Sequence, residues 1–278
     1  MNLNNRTPSL VLLALAVSTH AFGAAPQERR AERVRWVMGT LCEIDAPGAP
    51  DAAVSAAFAE IERWDRVLSL YKKESDASAL NRAAGTGPAP VSADLYAAVE
   101  ASLRLARETG GAFDPTMLRT AKRFGWPAVR LDSRARTVDL PAGMGLDFGG
   151  VGKGWALDKA AAVLREAGVS RARFNFGGQI LALGEWTAAV PGRAEPLLVK
   201  DASVSVSGDS EHPGHILSPF DGRPVRRPGS AAAVLPSAAD ADAWSTALFV
   251  LGKAPPSFRG LSFFDPGIPA VTNKGGRS

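Results

Sequence analysis

The sequence predicts an α+β protein in which mixed, mostly antiparallel sheets are flanked by helices. Several segments repeat apolar residues at every third or fourth position, as amphipathic helices do. The second half carries short apolar runs separated by a few Gly, Pro or charged residues. Such short connections favour antiparallel pairing, because a parallel crossover needs a dozen or more residues. With 278 residues, 46% of them apolar, the chain can form one large core or two closely packed lobes.

The first 25 residues have the order of a secretory signal peptide. Arg6 is their only formal charge, the apolar run 10–17 follows it, and small residues precede Pro26. A membrane anchor is the alternative, but this run is far shorter than the roughly 20 residues that a spanning helix needs. We therefore expect export to the periplasm with cleavage near residues 23–25. No cysteine follows that could carry a lipid anchor. Residues 26–33 are charged and aperiodic and are predicted to form a short tether.

In the first half of the mature chain, residues 34–44 are predicted to form a strand. A helix is predicted from Asp51 to about Leu70, and a second one is capped by Ser92 and ended by Gly110. Each helix presents an apolar stripe that we assign to the core. The stripes are Ala57, Ile61, Trp64 and Leu68 in the first helix and Leu95, Val99, Leu103 and Ala106 in the second.

In the second half, an apolar strand near residue 146 is predicted to turn into a helix from about Trp155 to Ala167. A helix capped by Ser237 and ended by Gly252 follows the last predicted strand, and the Pro- and Gly-rich tail 253–278 is predicted to be loosely ordered. The predicted strands between and before these helices are 174–176, 180–183, 186–190, 197–199, 204–206 and 231–235.

The charge and the cysteine content each argue against one feature, a nucleic-acid partner and an intramolecular disulfide. The formal net charge is +4, and the basic residues are dispersed without an aromatic-interleaved basic stripe, so no nucleic-acid partner is indicated. Cys42 is the only cysteine and cannot form an intramolecular disulfide. It is predicted to fill space in the core.

A glycine-rich turn at residues 146–158 is predicted to hold an anion. Four glycines stand there beside Lys153, at the start of a helix whose N-terminus carries partial positive charge. Glycine permits φ > 0 and lets backbone N–H groups approach a ligand. A P-loop is excluded because it needs glycine at Asp147 and Ser or Thr at Gly154, and no G-x-G-x-x-G can be read here. The pattern indicates a diphosphate site of another type.

The last predicted helix carries a cluster of hard oxygen donors. Asp242, Ser245 and Thr246 stand at positions i, i+3 and i+4, so their side chains share one face. A carboxylate with hydroxyls suits Mg²⁺, which keeps water or substrate phosphates in its remaining positions. The alternative is ordinary helix-start polarity. The two mature histidines, His212 and His215, are too few for a typical zinc site.

Together with four other segments, the glycine-rich turn resembles the FAD:protein FMN transferase (ApbE) family over residues 34–252. The segments are 37–40, 68–71 with Ser75 and Asn81, 110–116, and the motifs from Ser207 through His215 to Leu248. The resemblance implies an ApbE-like flavin transferase fold. It also implies Mg²⁺-dependent transfer of the FMN moiety of FAD to a Thr or Ser hydroxyl of a target protein, with release of AMP. The target would be a membrane-associated or periplasmic electron-transfer protein.

The same resemblance assigns roles to individual residues. It implies metal ligation by Asp242 and Thr246, with Ser245 and the Gly150 carbonyl as further ligands, and it makes His215 the catalytic base. An imidazole suits that role because its ordinary pKa lies near neutrality. The implied FAD contacts are Met38, Tyr71, Ala112, Phe113, Asp114, Asp147, Lys153 and Leu217.

This chain departs from the family pattern near the predicted base. The family motif His-Ile-x-Asp-Pro-x-Thr-Gly reads His-Ile-Leu-Ser-Pro-Phe-Asp-Gly, with Ser218 and Asp221 at the changed positions. Gln179 replaces a more usual acid or asparagine, and the stretch between Gly184 and Ser203 is short. Two alternative functions stay open: an FAD diphosphatase that uses water as acceptor, and a periplasmic flavin-binding protein without turnover.

Overall fold

A computed structural model describes residues 30–122, 124–209 and 213–267 of the protein. The predicted signal peptide, His212 and the end of the tail lie outside these ranges. The described helices are α1 (Asp51–Leu68), α2 (Asp76–Arg82), α3 (Ala93–Glu108), α4 (Gly152–Glu166) and α5 (Ala238–Leu251). The described strands are β1 (Arg30–Val37), β2 (Thr40–Pro47), β3 (Ala89–Pro90), β4 (Arg130–Asp132), β5 (Thr137–Asp139), β6 (Ala172–Phe176), β7 (Gln179–Leu183), β8 (Glu185–Ala188), β9 (Leu197–Lys200), β10 (Ser203–Gly208), β11 (Ser230–Leu235) and β12 (Leu261–Asp265).

The strands form one large sheet and two small ones. The seven-stranded sheet has the order β1-β2-β6-β7-β10-β11-β12, and the small sheets are β3-β5-β4 and β8-β9. Every described pair is antiparallel. The predicted α+β class with antiparallel sheets is therefore confirmed.

The helices α1 and α3 follow the predicted pattern closely. Both predicted apolar stripes are buried. The Ser92 hydroxyl accepts a hydrogen bond from the Leu95 amide at 3.1 Å and so caps α3, as predicted. Gly110 follows the end of α3 with φ 64°, a left-handed conformation that glycine adopts at little cost.

The helices α4 and α5 pack so closely that one residue has to be glycine. A Cβ on Gly154 would lie 2.1 Å from the carbonyl oxygen of Ala238, a backbone atom that cannot rotate away. The Asp158 carboxylate of α4 also accepts hydrogen bonds from the Ser237 hydroxyl and from the amides of Ala238 and Ala239, at 2.8–3.0 Å. An α4 side chain thus caps the start of α5, which fixes the two helices relative to each other.

The single strand predicted over residues 34–44 is wrong. The segment is a hairpin, whose first strand begins at Arg30 inside the predicted tether. Met38 and Gly39 form its turn with φ 48° and 78°, and Met38-Gly39 is not among the usual turn pairs. The charges near Arg33 belong to the strand because Arg33 contacts Asp51 at 2.8 Å and Arg35 contacts Glu62 at 2.7 Å, both on α1.

Three further expectations differ from the structure. Residues 145–148 form no strand, and α4 begins at Gly152, three residues before the predicted start. The tail contains β12, which pairs with β11 over residues 261–265 and is not loosely ordered there. The short helix α2 and the β3-β5-β4 sheet carry too few residues to show a clear period in the sequence.

The core consists of one large apolar cluster and a smaller one. The large cluster joins α1, α3, α4 and α5 to the main sheet. The small cluster lies around β8 and β9. Cys42 is fully buried in the large cluster, and burial raises its pKa to about 12, which agrees with its predicted role as core filler. Within the described ranges, no helix combines the length and apolar character needed to cross a membrane.

Candidate functional site

A cavity of about 1490 Å³ collects nearly all the residues that the sequence singled out. Its walls come from the tips of the β1–β2 and β6–β7 hairpins, the turn at 147–150, the end of β10, α5 and the segment 215–219. Ser245 is the one predicted site residue that does not line it. The predicted residues that do are Met38, Tyr71, Ala112, Phe113, Asp114, Asp147, Gly150, Lys153, His215, Leu217, Asp242 and Thr246. Their chemical roles stay predictions.

Asp242 is the centre of a buried polar cluster. Its side chain is about 5% exposed, and one carboxylate oxygen accepts a hydrogen bond from the Gly154 amide at 3.2 Å. The other oxygen accepts from the Ser205 hydroxyl at 3.3 Å and lies 3.5 Å from the Lys153 Nζ. Lys153 is its only ion-pair partner among the described residues, and at 3.5 Å the two charges are not in close contact. The carboxylate is therefore only partly neutralised.

Ser245 packs against the Asp242 cluster but does not line the cavity. It is fully buried, and its hydroxyl donates to the Asp242 carbonyl at 2.8 Å. It also lies 2.8 Å from the Ser207 hydroxyl and 3.3 Å from that of Ser205. The role of Ser245 as a metal ligand stays a prediction. Thr246, one residue on, does reach the cavity wall.

The glycine-rich turn brings backbone close to neighbouring groups without using left-handed conformations. None of Gly149, Gly150, Gly152 and Gly154 has a positive φ, so that part of the prediction is wrong. A Cβ on Gly150 would lie 3.2 Å from both the Thr246 Oγ1 and the Phe113 ring. Gly154 is required by the contact of α4 with α5. Small size is thus the property in use at both positions.

The residues present fit a divalent cation. Asp242, Thr246 and the bare backbone at Gly150 bring together a carboxylate, a hydroxyl and a peptide unit, which are hard oxygen donors of the kind that Mg²⁺ prefers. The described residues hold no group of three His, Cys, Asp or Glu side chains suited to a metal. Hard oxygen donors of this kind suit Mn²⁺ as well as Mg²⁺.

Asp147 is held at the cavity by backbone contacts on both sides. Its amide donates to the Pro115 carbonyl at 2.7 Å, and its carboxylate accepts from the Gly149 amide at 2.8 Å. The Asn81 side chain bonds both the amide and the carbonyl of the preceding residue, Leu146, at 2.7 and 2.8 Å. Burial raises the pKa of Asp147, while the Gly149 hydrogen bond opposes that rise. The segment is irregular because a side chain, not a neighbouring strand, binds its backbone.

Part of the cavity wall is apolar and aromatic. Met38 lies at the hairpin turn in a left-handed conformation that costs a non-glycine residue energy. Ala112 and Phe113, in the loop after α3, also line the cavity and are buried, whereas Tyr71 is 99% exposed. A planar ring system can pack against such a surface. Of these four residues, Tyr71 is the most exposed to solvent.

Asp114 has a structural task that the sequence did not reveal. One of its carboxylate oxygens accepts from the amide and the hydroxyl of Thr116, at 2.8 and 2.7 Å. The other accepts from the Trp126 amide at 3.0 Å. The carboxylate therefore closes the loop from 114 to 126 across the cavity edge. Any contact with a ligand would be made in addition to these bonds.

His215 is exposed. It directly precedes a turn that is closed by a bridge between two short extended segments. Leu217 bridges to Pro224, and the Ser218 amide donates to the Arg223 carbonyl at 2.8 Å. The Asp221 carboxylate accepts from the Arg223 amide and from the Ser218 hydroxyl, and these bonds lower its pKa. Ser218 and Asp221 thus form a pair across this turn.

Three polar residues of the site were missed by reasoning from the sequence alone. Ser205 and Ser207 of β10 contact the Asp242 cluster, and both line the cavity. Their alternation, two residues apart on one face of a strand, is the signal that could have found them. Gln179, noted only as a departure from the family, also lines the cavity and is 2% exposed.

The sequence is similar to a known family and to named proteins. A family model described as the ApbE family matches residues 38–258. A protein from Treponema pallidum named FAD:protein FMN transferase is 30% identical, over 87% of this chain and 84% of its own length. One of the same name from Escherichia coli K12 is 27% identical, over 77% and 76%.

Two solved structures share the fold. The ApbE protein from Thermotoga maritima gives a TM-score of 0.73 at 24% identity, and the match covers 81% of this chain and 87% of that one. The flavin transferase ApbE from Vibrio cholerae gives a TM-score of 0.71 at 22% identity, with the same coverage.

Proposed function

Because the chain belongs to the ApbE family, we propose that it is an FAD:protein FMN transferase. The finer proposal is that it moves the FMN moiety of FAD onto a Thr or Ser hydroxyl of a target protein and releases AMP. The observation that carries it is the juxtaposition, in one cavity, of the Asp242 oxygen cluster with Lys153 and an apolar, aromatic wall. A diphosphate attached to a flat ring system needs both surfaces.

The bond changes follow from the substrate and product. The acceptor hydroxyl oxygen forms a bond to the phosphorus nearer the riboflavin, and the bond from that phosphorus to the bridging oxygen breaks. AMP leaves with the bridging oxygen, and the hydroxyl proton passes to a base. Such a displacement depends on alignment and on neutralising the diphosphate charge, more than on covalent catalysis.

The chain's own residues divide these tasks. We propose that Lys153 binds the diphosphate, that the Gly150 carbonyl joins the cation site, and that Met38 and Phe113 pack against a ring of the ligand. Asp242 and Thr246 would hold Mg²⁺, which supplies charge neutralisation at the phosphate oxygens. His215 lies on the cavity wall and is proposed as the proton acceptor.

Target and location are part of the proposal. The acceptor would be a membrane-associated or periplasmic electron-transfer protein that carries a Thr or Ser for flavinylation. The signal-like order of residues 1–25 supports an exported, periplasmic protein. Cell fractionation of the full chain, with and without residues 1–25, tests this location.

The activity is tested by incubating the protein with FAD, Mg²⁺ and a relative's acceptor domain. A transferase makes the acceptor yellow and adds the mass of one FMN, with one AMP released per flavin. AMP release without mass gain would identify an FAD diphosphatase instead. Tight FAD binding with neither product would identify a flavin carrier, and either result would contradict the proposal.

Asp242→Ala is predicted to abolish Mg²⁺-dependent transfer, because it removes the carboxylate at the centre of the cluster. Thr246→Val should retain more activity, since it removes only one neutral donor. Asp240→Ala is the matched control: it changes the same helix at a residue that pairs with Arg104 and does not line the cavity. Transfer rates are measured at limiting Mg²⁺. Full activity of Asp242→Ala under those conditions would refute the cation assignment.

His215→Ala is predicted to bind FAD within a few-fold of the wild type and to lose transfer by about 10²–10⁴, the usual contribution of a positioned base. Single-turnover transfer at saturating FAD, from pH 5.5 to 9, separates binding from chemistry. The variant should be slower than the wild type at each pH while its affinity for FAD is retained. Superimposable profiles for the two proteins would show that His215 is not the base.

A further inference from the structure

Gln179 presents a buried oxygen for which the described part of the chain provides no donor. Its Nε2 donates to the Ala238 carbonyl at 2.8 Å and to the Ser203 hydroxyl at 3.2 Å. Its Oε1 is buried and makes no hydrogen bond to any described residue. A buried acceptor without a donor costs about 1–3 kcal/mol. A side chain that lines the cavity and carries this cost is a candidate for contact with something bound there.

The position of Gln179 is fixed by its surroundings. It is the first residue of β7, directly after a two-residue turn in which Gly177 and Gly178 have φ 55° and 85°. Both glycines line the cavity, and the Gly177 amide donates to the Leu41 carbonyl of the neighbouring hairpin at 3.0 Å. The two Nε2 bonds set the orientation of the amide, because exchanging its oxygen and nitrogen would bring Oε1 against the Ala238 carbonyl.

Two separate paths lead from Gln179 to the Asp242 carboxylate. Ala238 and Asp242 stand one helical turn apart on the same face of α5. Ser203 and Ser205 stand two residues apart on the same face of β10, and the Ser205 hydroxyl contacts Asp242. The pairing of Val204 with Ile180 also puts Ser205 opposite Gln179 when the register continues by one residue. Gln179 is therefore a neighbour of the Asp242 cluster.

We infer that Gln179 is a positioning residue for the cation held at Asp242, and that its Oε1 accepts a hydrogen bond from a water of the cation's hydration shell. The inference rests on the proposed function, since it assumes that cation. Mg²⁺ keeps several waters when it binds to few protein ligands. Groups that bond such outer ligands typically change metal affinity by 10–100-fold. The donor that Oε1 lacks is thereby supplied.

The test measures Mn²⁺ binding to the full protein without FAD, from the electron paramagnetic resonance signal of free Mn²⁺. Gln179→Met keeps the approximate shape but removes the acceptor, so it should weaken Mn²⁺ by about tenfold. Gln179→Asn keeps the amide but draws its oxygen back by one methylene, so it should weaken Mn²⁺ by several-fold. Ser203→Ala removes a partner of Nε2 and leaves Oε1 in place, so it should stay within about twofold of the wild type.

Each result decides between the alternatives. Wild-type affinity in both Gln179 variants, with Asp242→Ala losing Mn²⁺, would overturn the role of Gln179 and leave the cation site standing. Unchanged affinity in Asp242→Ala would overturn the cation site itself, and this inference with it. If Gln179→Met does not fold, Gln179→Asn still decides, because Mn²⁺ affinity as high as that of Ser203→Ala would show that the position of Oε1 does not matter.

Discussion

At the scale of single residues, the cavity shows how differently aspartates are used within one site. Asp114 accepts three hydrogen bonds that close a loop, and Asp147 is held by its own backbone neighbours. Asp242 is buried with incomplete neutralisation. Residue type alone does not distinguish these three aspartates. Only the donors around each carboxylate separate a structural role from a binding role.

Asp147→Asn is predicted to stabilise the ligand-free protein at neutral pH and to weaken FAD. Burial raises the pKa of Asp147, so the folded state holds its proton more tightly than the unfolded chain does. The wild type therefore loses stability, relative to the variant, as the pH rises through the aspartate range. Asparagine keeps an acceptor for the Gly149 amide.

Thermal unfolding from pH 3 to 8 checks this prediction, with calorimetry of FAD binding beside it. The difference in Tm between variant and wild type should be smallest at the acidic end and grow towards neutrality. A variant that is less stable than the wild type at pH 7 would show that the Asp147 charge stabilises the fold, against its burial.

At the scale of elements, helices with clear ends could be predicted, and the irregular connections could not. Ser92, Ser237 and Gly252 mark ends that the structure confirms, because capping is local chemistry. The Met38-Gly39 turn, by contrast, depends on tertiary contacts that force a methionine into a left-handed conformation. The segment before Asp147 depends on Asn81, 65 residues away in the chain. β12 pairs with β11 despite a Pro- and Gly-rich setting, since pairing is decided across the sheet.

The same distinction applies to the site. The resemblance named residues that the fold brings to one cavity, but Ser205, Ser207 and the bonds of Ser245 follow from how β10 packs on α5. Strand-to-helix packing of this kind is not written in local periodicity. For this reason, the local sequence pattern did not identify Ser205 and Ser207 as neighbours of Asp242 and Ser245.

Gly154→Ala is predicted to be strongly destabilising, whereas Gly152→Ala should be tolerated. A Cβ at Gly154 would overlap the Ala238 carbonyl at 2.1 Å, which forces α4 and α5 apart and costs about 1–3 kcal/mol or more. A Cβ at Gly152 would meet side chains at 3.5 Å or beyond, in ordinary contact, and alanine favours a helix over glycine by up to about 1 kcal/mol. Urea unfolding of the two variants measures the difference. Equal stability of the two would contradict the described packing of α4 on α5.

At the scale of the whole molecule, the cavity is assembled from distant parts of the chain. Met38 of the first hairpin and Asp265 of the last strand both line it. The main sheet joins them in the order β1-β2-β6-β7-β10-β11-β12, so its first and last strands form opposite edges. A ligand that fills the cavity would therefore contact elements joined by one sheet, and we expect its binding to stabilise all of them together.

FAD with Mg²⁺ is predicted to raise the Tm of a single unfolding transition. At a ligand concentration about 100 times Kd, the gain is about 2.7 kcal/mol, or roughly 5–10 °C for a domain of this size. Asp242→Ala should lose the part of the shift that depends on Mg²⁺. Calorimetric scans with each ligand alone and together measure it. Two separate transitions, of which ligands move only one, would contradict a cavity shared by the whole fold.

The placement of the last cavity residues has a consequence for how the protein comes into being. A ribosome synthesises the chain from its N-terminus. Met38, the glycine-rich turn and the β6–β7 hairpin are therefore made before α5 and β12. The Asp242 carboxylate and Asp265 are synthesised after all of these. The cavity is therefore complete only after β12, the last described strand, has paired with β11.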